Sequence, residues 1–347
     1  MRRPALAASI VAACLATAVS AFPRAPRVGE LPARLTDSEF WTLVSEASEP
    51  GGYFRSENIT NLTSNEMGFE VVIPDLVARA RTGGVYLGVG PEQNYTYIAA
   101  LEPKLAIIFD IRRGNLDLQL MYKALFEMAH NRTEFVALLF SRPIPPPLPA
   151  SASAEAVFEA VGRSPGADAL YAGTLRQLKA RLTAIHRFPL PAADLDGISE
   201  IFRAFCWSGY AVRPSPTYDE LMAATDDAGV ERSYLASDRN FQVMKDLEER
   251  NLVVPVVGDF GGPTAIRFVA QYLKKQGATV SAFYLSNVEQ YLVQDGKWTQ
   301  FCRNVATLPL DSSSTFIRSA SGGGFFRGPG FVSSLGSMTA EVRQGCP

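Results

Sequence analysis

Val85-Tyr86-Leu87-Gly88-Val89-Gly90-Pro91-Glu92-Gln93-Asn94, followed by Leu105-Ala106-Ile107-Ile108-Phe109-Asp110, decides how this chain of 347 residues is read. The first stretch is a short apolar strand that runs straight into a G-x-G bend. The second is apolar without interruption up to a terminal acid, which predicts a strand covered on both faces. Between them Asn94 to Leu101 reads as a helix, and Pro103 precedes the second strand. A glycine at a strand end has no Cβ, so the backbone there can approach a ligand. A helix beginning near Glu92 offers unpaired N–H groups at the same place. Asp110 lies 22 residues after Gly88, close to the roughly 20 expected for an acid that bonds a ribose hydroxyl. The third glycine of the usual fingerprint is missing, since Gln93 stands there.

Working outward, the same pattern recurs. Leu252 to Val257 predicts a third strand, ending in Gly258-Asp259-Phe260, and Thr279 to Leu285 a fourth, ending in Ser286-Asn287-Val288-Glu289. Helices are expected over Asp37–Ser48 with Thr36 or Asp37 as N-cap, Val71–Arg79, Pro263–Gln276 and Trp298–Val305. Leu116–Met128 predicts an amphipathic helix with Leu118, Met121, Leu125 and Met128 on one side. Thr315 to Arg318 suits a late strand, and the glycine-rich residues 321–330 a loop. Between the second and third strands the polyproline run of residues 143–149 opens a stretch to residue 250 with helical stripes and little strand signal. The fold class expected is α/β: a doubly wound, mostly parallel, Rossmann-like sheet over residues 51–347, interrupted by a mainly helical insertion at 143–250 and preceded by a leader and helix at 22–50.

Residues 1–21 carry Arg2 and Arg3, then an uncharged apolar stretch, then Val19-Ser20-Ala21, which is the layout of a secretory signal. Val11-Ala12-Ala13-Cys14 also resembles a lipoprotein box, with Cys14 as the anchored residue. Either way an exported protein is expected, periplasmic or secreted, without a transmembrane span. A net charge of −2 and no basic patch give no reason to expect nucleic acid. With His130 and His186 as the two histidines and four scattered cysteines, no metal-ligand spacing appears. The partner expected is therefore a small molecule.

Leu87 to Asn94, Ile108-Phe109-Asp110, Val257-Gly258-Asp259 and Ser286-Asn287-Val288-Glu289 together resemble successive motifs of class I S-adenosylmethionine-dependent methyltransferases. The resemblance covers roughly residues 50–135 and 250–320. It implies S-adenosylmethionine as cofactor, the Gly88–Gly90 loop facing its methionine part, Asp110 its ribose hydroxyls and Asp259 its adenine. It also implies that Asn287 lies near the centre of methyl transfer; Glu289, by its own chemistry, suits a general base beside the acceptor. The candidate cofactor-binding set is Gly88, Gly90, Pro91, Glu92, Asn94, Asp110, Ile111, Asp259 and Phe260, and the candidate catalytic pair Asn287 and Glu289. The pattern departs from that family at Tyr86 and Leu87, where an acid usually stands. The whole chain is also similar to a family of uncharacterised bacterial proteins, which names no reaction.

Other residues have plainer readings. Glu289 suits a helix cap, Arg112 and Arg113 a solvated pair at a helix entry, Glu49 and Glu57 surface charges, and His186 a structural histidine. Tyr53, Phe54 and Arg55 fit either a lid over the ligand or core packing, and the Asn94 sequon places that side chain inside the pocket. No G-x-S-x-G elbow or P-loop pattern is present. Two further functions stand beside methyl transfer: an exported, non-catalytic binding or scaffold protein, and a nicotinamide-dependent oxidoreductase. The missing third glycine and absent Tyr-x-x-x-Lys count against the second of these.

Overall fold

The structure, a computed structural model, describes residues 30–52, 61–321 and 331–345. The expected export signal, Cys14, the Tyr53–Arg55 segment, Glu57, the Asn58 sequon and all but the first residue of the glycine-rich 321–330 stretch lie outside the described residues. Six strands form one mixed, mostly parallel sheet: β1 (Val85–Val89), β2 (Leu105–Asp110), β3 (Val253–Val257), β4 (Val280–Ser286), β5 (Thr315–Ser321) and β6 (Phe331–Ser337). Their order across the sheet is β3-β2-β1-β4-β5-β6, and β6 alone runs antiparallel, against β5. The chain therefore steps one way from β1 to β3 and the other way from β4 onward. Right-handed crossovers in opposite directions put their helices on opposite faces of the sheet.

Fourteen α-helices are present among the described residues. They are α1 (Asp37–Ala47), α2 (Ile73–Arg79), α3 (Gln93–Leu101), α4 (Arg113–Met128), α5 (Arg132–Leu139), α6 (Ala154–Gly162), α7 (Asp168–Ala180), α8 (Ala192–Ser208), α9 (Tyr218–Met222), α10 (Asp238–Glu249), α11 (Ala265–Lys275), α12 (Val288–Gln294), α13 (Trp298–Val305) and α14 (Met338–Arg343). None is long and apolar enough to cross a membrane. α1 begins at a capping box in which Thr36 and Glu39 exchange hydrogen bonds. β2 and β3 are buried at every position. Pro255 is tolerated in β3 because that strand lies at the sheet edge, where a missing N–H breaks no ladder. The chain after α1 covers the end of that edge: Glu49 N–H donates to the Val257 carbonyl at 2.7 Å and Val257 N–H to Ser48 Oγ at 3.0 Å.

Three expectations need correction. α4 is not half-exposed: every residue from Asn115 to Phe126 is buried, because α8 and α10 pack against it on the side away from the sheet. The polar positions Asp117, Gln119 and Lys123 are thereby enclosed. Second, β1 continues through Gly88 and Val89 rather than ending at Leu87. Third, β6 and α14 follow the glycine-rich stretch and had no counterpart in the pattern. Residues 143–250 carry α6 to α10 and a single isolated bridge, Thr225 to Glu231.

Candidate functional site

In an open α/β sheet the turns beyond the carboxyl ends of the strands leave a crevice where the strand order reverses, here between β1 and β4. A cleft of about 230 Å³ occupies this position. Gly90 and Pro91 line it from β1, Asp110, Ile111 and Arg112 from β2, and Gly258, Asp259 and Phe260 from β3. Tyr284, Ser286 and Asn287 reach it from β4, and Tyr291, Leu292, Asp295 and Lys297 from the segment after. The remaining wall is the polar stretch Asn61 to Glu66, which precedes the first strand.

The glycine bend is built from within. Gly90 holds a φ of +79°, and a Cβ placed on it meets nothing within 4 Å, so the space before it is open cleft. Its N–H is not offered to the cleft, since it donates to the Phe109 carbonyl at 3.0 Å. Asn94 stands behind the bend, its Nδ2 donating to the carbonyls of Val89 (2.9 Å) and Pro91 (2.7 Å). Gln119 of α4 donates to the Gly90 carbonyl at 3.0 Å. A Cβ on Gly88 would lie 1.9 Å from Asn94 Oδ1 and 2.8 Å from the Tyr86 ring. Gly88 thus makes room for the clamp and not for a ligand. Glu92 is fully buried at the start of α3 and accepts from the Ser64 N–H at 3.0 Å. Burial pushes its carboxyl up to about 7. Of this loop, Gly90 and Pro91 face the cleft, while Gly88, Glu92 and Asn94 support it from behind.

Both strand-end aspartates on the far side are held by cations. Arg112 folds back on Asp110: its Nε and Nη2 lie 3.1 and 2.8 Å from the two carboxylate oxygens, and its N–H donates to Oδ1 at 2.8 Å. Arg113 pairs with Asp194 of α8 at 2.6 Å. Arg112 is thus not the solvated side chain that its position at a helix entry suggested, whereas Arg113 remains exposed while it pairs with Asp194. Asp259 pairs with Lys297, and that pairing raises the lysine's pKa. Phe260 closes this end, packed against Phe109, Phe283 and Phe301. Glu49 is also not a free surface charge. It accepts from the N–H groups of Asp259 (3.1 Å), Thr264 (2.8 Å) and Ala265 (3.0 Å), filling the N-terminus of α11.

The β4 end holds the group that strand-end reasoning missed. Ser286 has a φ of +51°, a left-handed conformation unusual for serine and of the kind found where a site imposes strain. Its hydroxyl bonds Glu66 Oε1, while Glu66 Oε2 accepts from Tyr284 at 2.7 Å and from Gln93 Nε2 at 3.2 Å. Glu66 is 1 % exposed yet lines the cleft. Burial raises its pKa, against the opposing pull of those hydrogen bonds. The signal available for it was the run of polar residues from Thr63 to Glu66 ahead of Met67-Gly68. Asn287 joins this end of the cleft, but Glu289 does not. Its carboxylate bonds Arg318 of β5 at 2.7 Å, and Arg318 also grips Glu341 of α14. Among the described residues no group of three or more His, Cys, Asp or Glu side chains is arranged to hold a metal ion.

A family described as a domain of unknown function (DUF7790) matches residues 61–143 and 196–336. Every residue that lines the cleft falls within these two segments, whereas α6, α7 and most of the polyproline run fall outside them. No curated protein matches the chain.

Proposed function

Since the chain belongs to this DUF7790 family, whose description carries no chemistry, we propose a function from the cleft itself: it binds an adenosine-bearing small molecule, S-adenosylmethionine foremost, and serves methyl transfer to a small acceptor. The observation that carries this reading is the convergence of an open glycine bend at Gly90 and the Asp110 carboxylate on one cleft. The cleft lies where the strand order of this mostly parallel sheet reverses. The residues fit the group. Gly90 and Pro91 leave room for its methionine part, Asp110 offers acceptors to ribose hydroxyls, and Ile111 and Phe260 give apolar surface beside Asp259 for a base. When bound, S-adenosylmethionine supplies an electrophilic methyl group on a sulfonium. The chain's own contribution is positioning: Asn94 and Gln119 fix the bend, Arg112 fixes Asp110, and Asn287 stands at the β4 end to orient an acceptor.

Calorimetric titration with S-adenosylmethionine, S-adenosylhomocysteine and NAD tests it. Binding of the adenosyl ligands, weakened roughly tenfold or more by Asp110→Ala, is the expected result, because a hydrogen bond to a charged group contributes about 1.5–3 kcal/mol. No adenosyl binding, or binding indifferent to Asp110, overturns it. A second reading, non-catalytic binding, draws on the two ion pairs Arg112–Asp110 and Lys297–Asp259, which engage both strand-end acids within the chain. Binding of S-adenosylmethionine without turnover of any acceptor would favour that reading.

A further inference from the structure

The Glu66 corner of the cleft has a chemistry that an adenosine reading does not use. Its carboxyl group is buried, forms part of the cleft wall, and is met by neutral donors: Tyr284, Ser286 and Gln93 bond it, and the Ser319 hydroxyl stands beside it as a fourth. A carboxylate has about four acceptor positions; three take those bonds, and the Ser319 hydroxyl is the neutral group that an incoming cation would displace from the fourth. Among the described residues no lysine or arginine pairs with it. The two cationic side chains in the cleft wall, Arg112 and Lys297, are bound to Asp110 and Asp259. Among the described residues the wall therefore carries four carboxyl groups (Glu66, Asp110, Asp259, Asp295) against two cations. A buried charge without an opposite partner is costly, so burial favours the protonated form of a carboxyl so placed and a cation favours its ionised form. Burial accordingly holds the Glu66 pKa above the ordinary carboxylate range. Ser286, in its strained left-handed conformation, points its hydroxyl at the same carboxyl group and fixes its orientation.

We propose that the cleft selects a ligand bearing a primary amine, and that Glu66 is the residue that receives its ammonium group. The ammonium takes the place of the Ser319 hydroxyl at Glu66 and donates as well to Asn287 Oδ1 beside it. Where Glu66 was protonated, its proton leaves to solvent on binding, so charge is conserved in the filled site. The inference concerns the same cleft as the proposed function, but it does not require an adenosyl group. An amine carried by the cofactor or by the acceptor would satisfy it equally.

The test uses matched fragments without adenosine: benzylamine against benzyl alcohol, and phenethylamine against phenethyl alcohol, titrated into the full chain by ligand-observed NMR. Each amine is expected to bind roughly tenfold or more tighter than its alcohol. Glu66→Gln, close in shape but unable to carry the charge, is expected to remove that preference by weakening amine binding roughly tenfold or more. Equal binding of amine and alcohol by the unaltered protein overturns the proposal, whether or not the variant folds, as does an amine preference that survives in Glu66→Gln. Tyr284→Phe, which removes one donor and leaves the carboxyl in place, is expected to keep the preference, and its loss there would count against Glu66 as the receiving group. Because no probe contains adenosine, failure here is separate from failure of Asp110→Ala to weaken adenosyl binding.

Discussion

Gly88 and Gly90 look equivalent in a motif and differ in physical role. At Gly90 the requirement is conformational: a φ of +79° with open space beyond. Gly90→Ala is expected to destabilise by about 1–2 kcal/mol, the cost of the left-handed conformation for a residue with a Cβ, and to weaken ligand binding because the methyl group projects into the cleft. At Gly88 the requirement is room for Asn94, which would lie 1.9 Å from an added Cβ. Gly88→Ala must displace a buried amide that holds the carbonyls of Val89 and Pro91. It is expected to cost more than Gly90→Ala, about 2–4 kcal/mol, through overpacking and lost buried hydrogen bonds. Urea denaturation midpoints of the two variants check the order, and Gly90→Ala as the more damaging change would contradict it. The strand ends that flank these glycines were readable because apolar runs ending in glycine or acid are local signals. The partners of the charged groups were not. Glu66 meets Tyr284 across 218 positions and Glu49 meets Asp259 N–H across 210, distances over which pattern carries no information.

Between elements, the pairing of α1 with α4 rests on His186, at the end of a single π turn over Arg181–Ile185. Nδ1 lies 2.8 Å from Asp37 Oδ1 and Nε2 lies 2.8 Å from Glu127 Oε2. Two carboxylate acceptors require both ring nitrogens to donate, so the bridge is complete with imidazolium. Burial opposes that charge, but the hydrogen bond and charge of Glu127, and then the bond to Asp37, outweigh it and raise the histidine's pKa. Burial likewise works against the charge on Glu127, yet His186 and Lys123 hold it down at about 2. Arg181 also reaches Glu127 at 3.2 Å. A raised folded pKa means that the stabilisation is full below the unfolded value near 6.5 and disappears as pH rises through the folded value. His186→Gln is therefore expected to cost more stability at about pH 6 than at about pH 9, read from chemical denaturation at each pH. A cost that grows with pH would reject the bridge. The structural role of His186 agrees with its sequence reading, while its acidic partners lie on helices that only the fold brings together. The error over α4 has the same origin: periodicity describes one helix, and its far side was covered by α8 and α10, from the stretch between the second and third strands.

Across the whole molecule, the stretch between β2 and β3 changes the electrostatics of the core it covers. Burial lifts the carboxyl groups of Glu70, Asp117 and Glu248 to about 8 and that of Glu92 to about 7. The charge of Asp194 on α8 reinforces it at Asp117, whereas at Glu248 the charge of Lys123 opposes burial and that of Glu127 adds to it. None of this was visible in a chain of near-zero net charge, because a carboxyl's cost depends on which helix lies over it. The consequence is a stability curve tilted toward acid. Between about pH 5 and about pH 7 the folded chain keeps protons on these groups that the unfolded chain has released, so unfolding becomes easier as pH rises. Each group that is protonated folded and ionised unfolded contributes a slope of up to about 1.4 kcal/mol per pH unit. Glu127 acts in the opposite sense only below the ordinary carboxylate value of 4.5, as pH falls toward about 2. Urea midpoints are therefore expected to fall steadily from about pH 5 to about pH 8 and to level off beyond, where the groups are ionised in both states. Glu248→Gln, which keeps the shape and removes the charge, is expected to flatten part of this slope and to stabilise the protein at about pH 8 more than at about pH 5. A midpoint that rises over this range would mean that these carboxyl groups find cationic partners in solution, and with it the enclosed, acid-rich interior described around α4 would have to be abandoned.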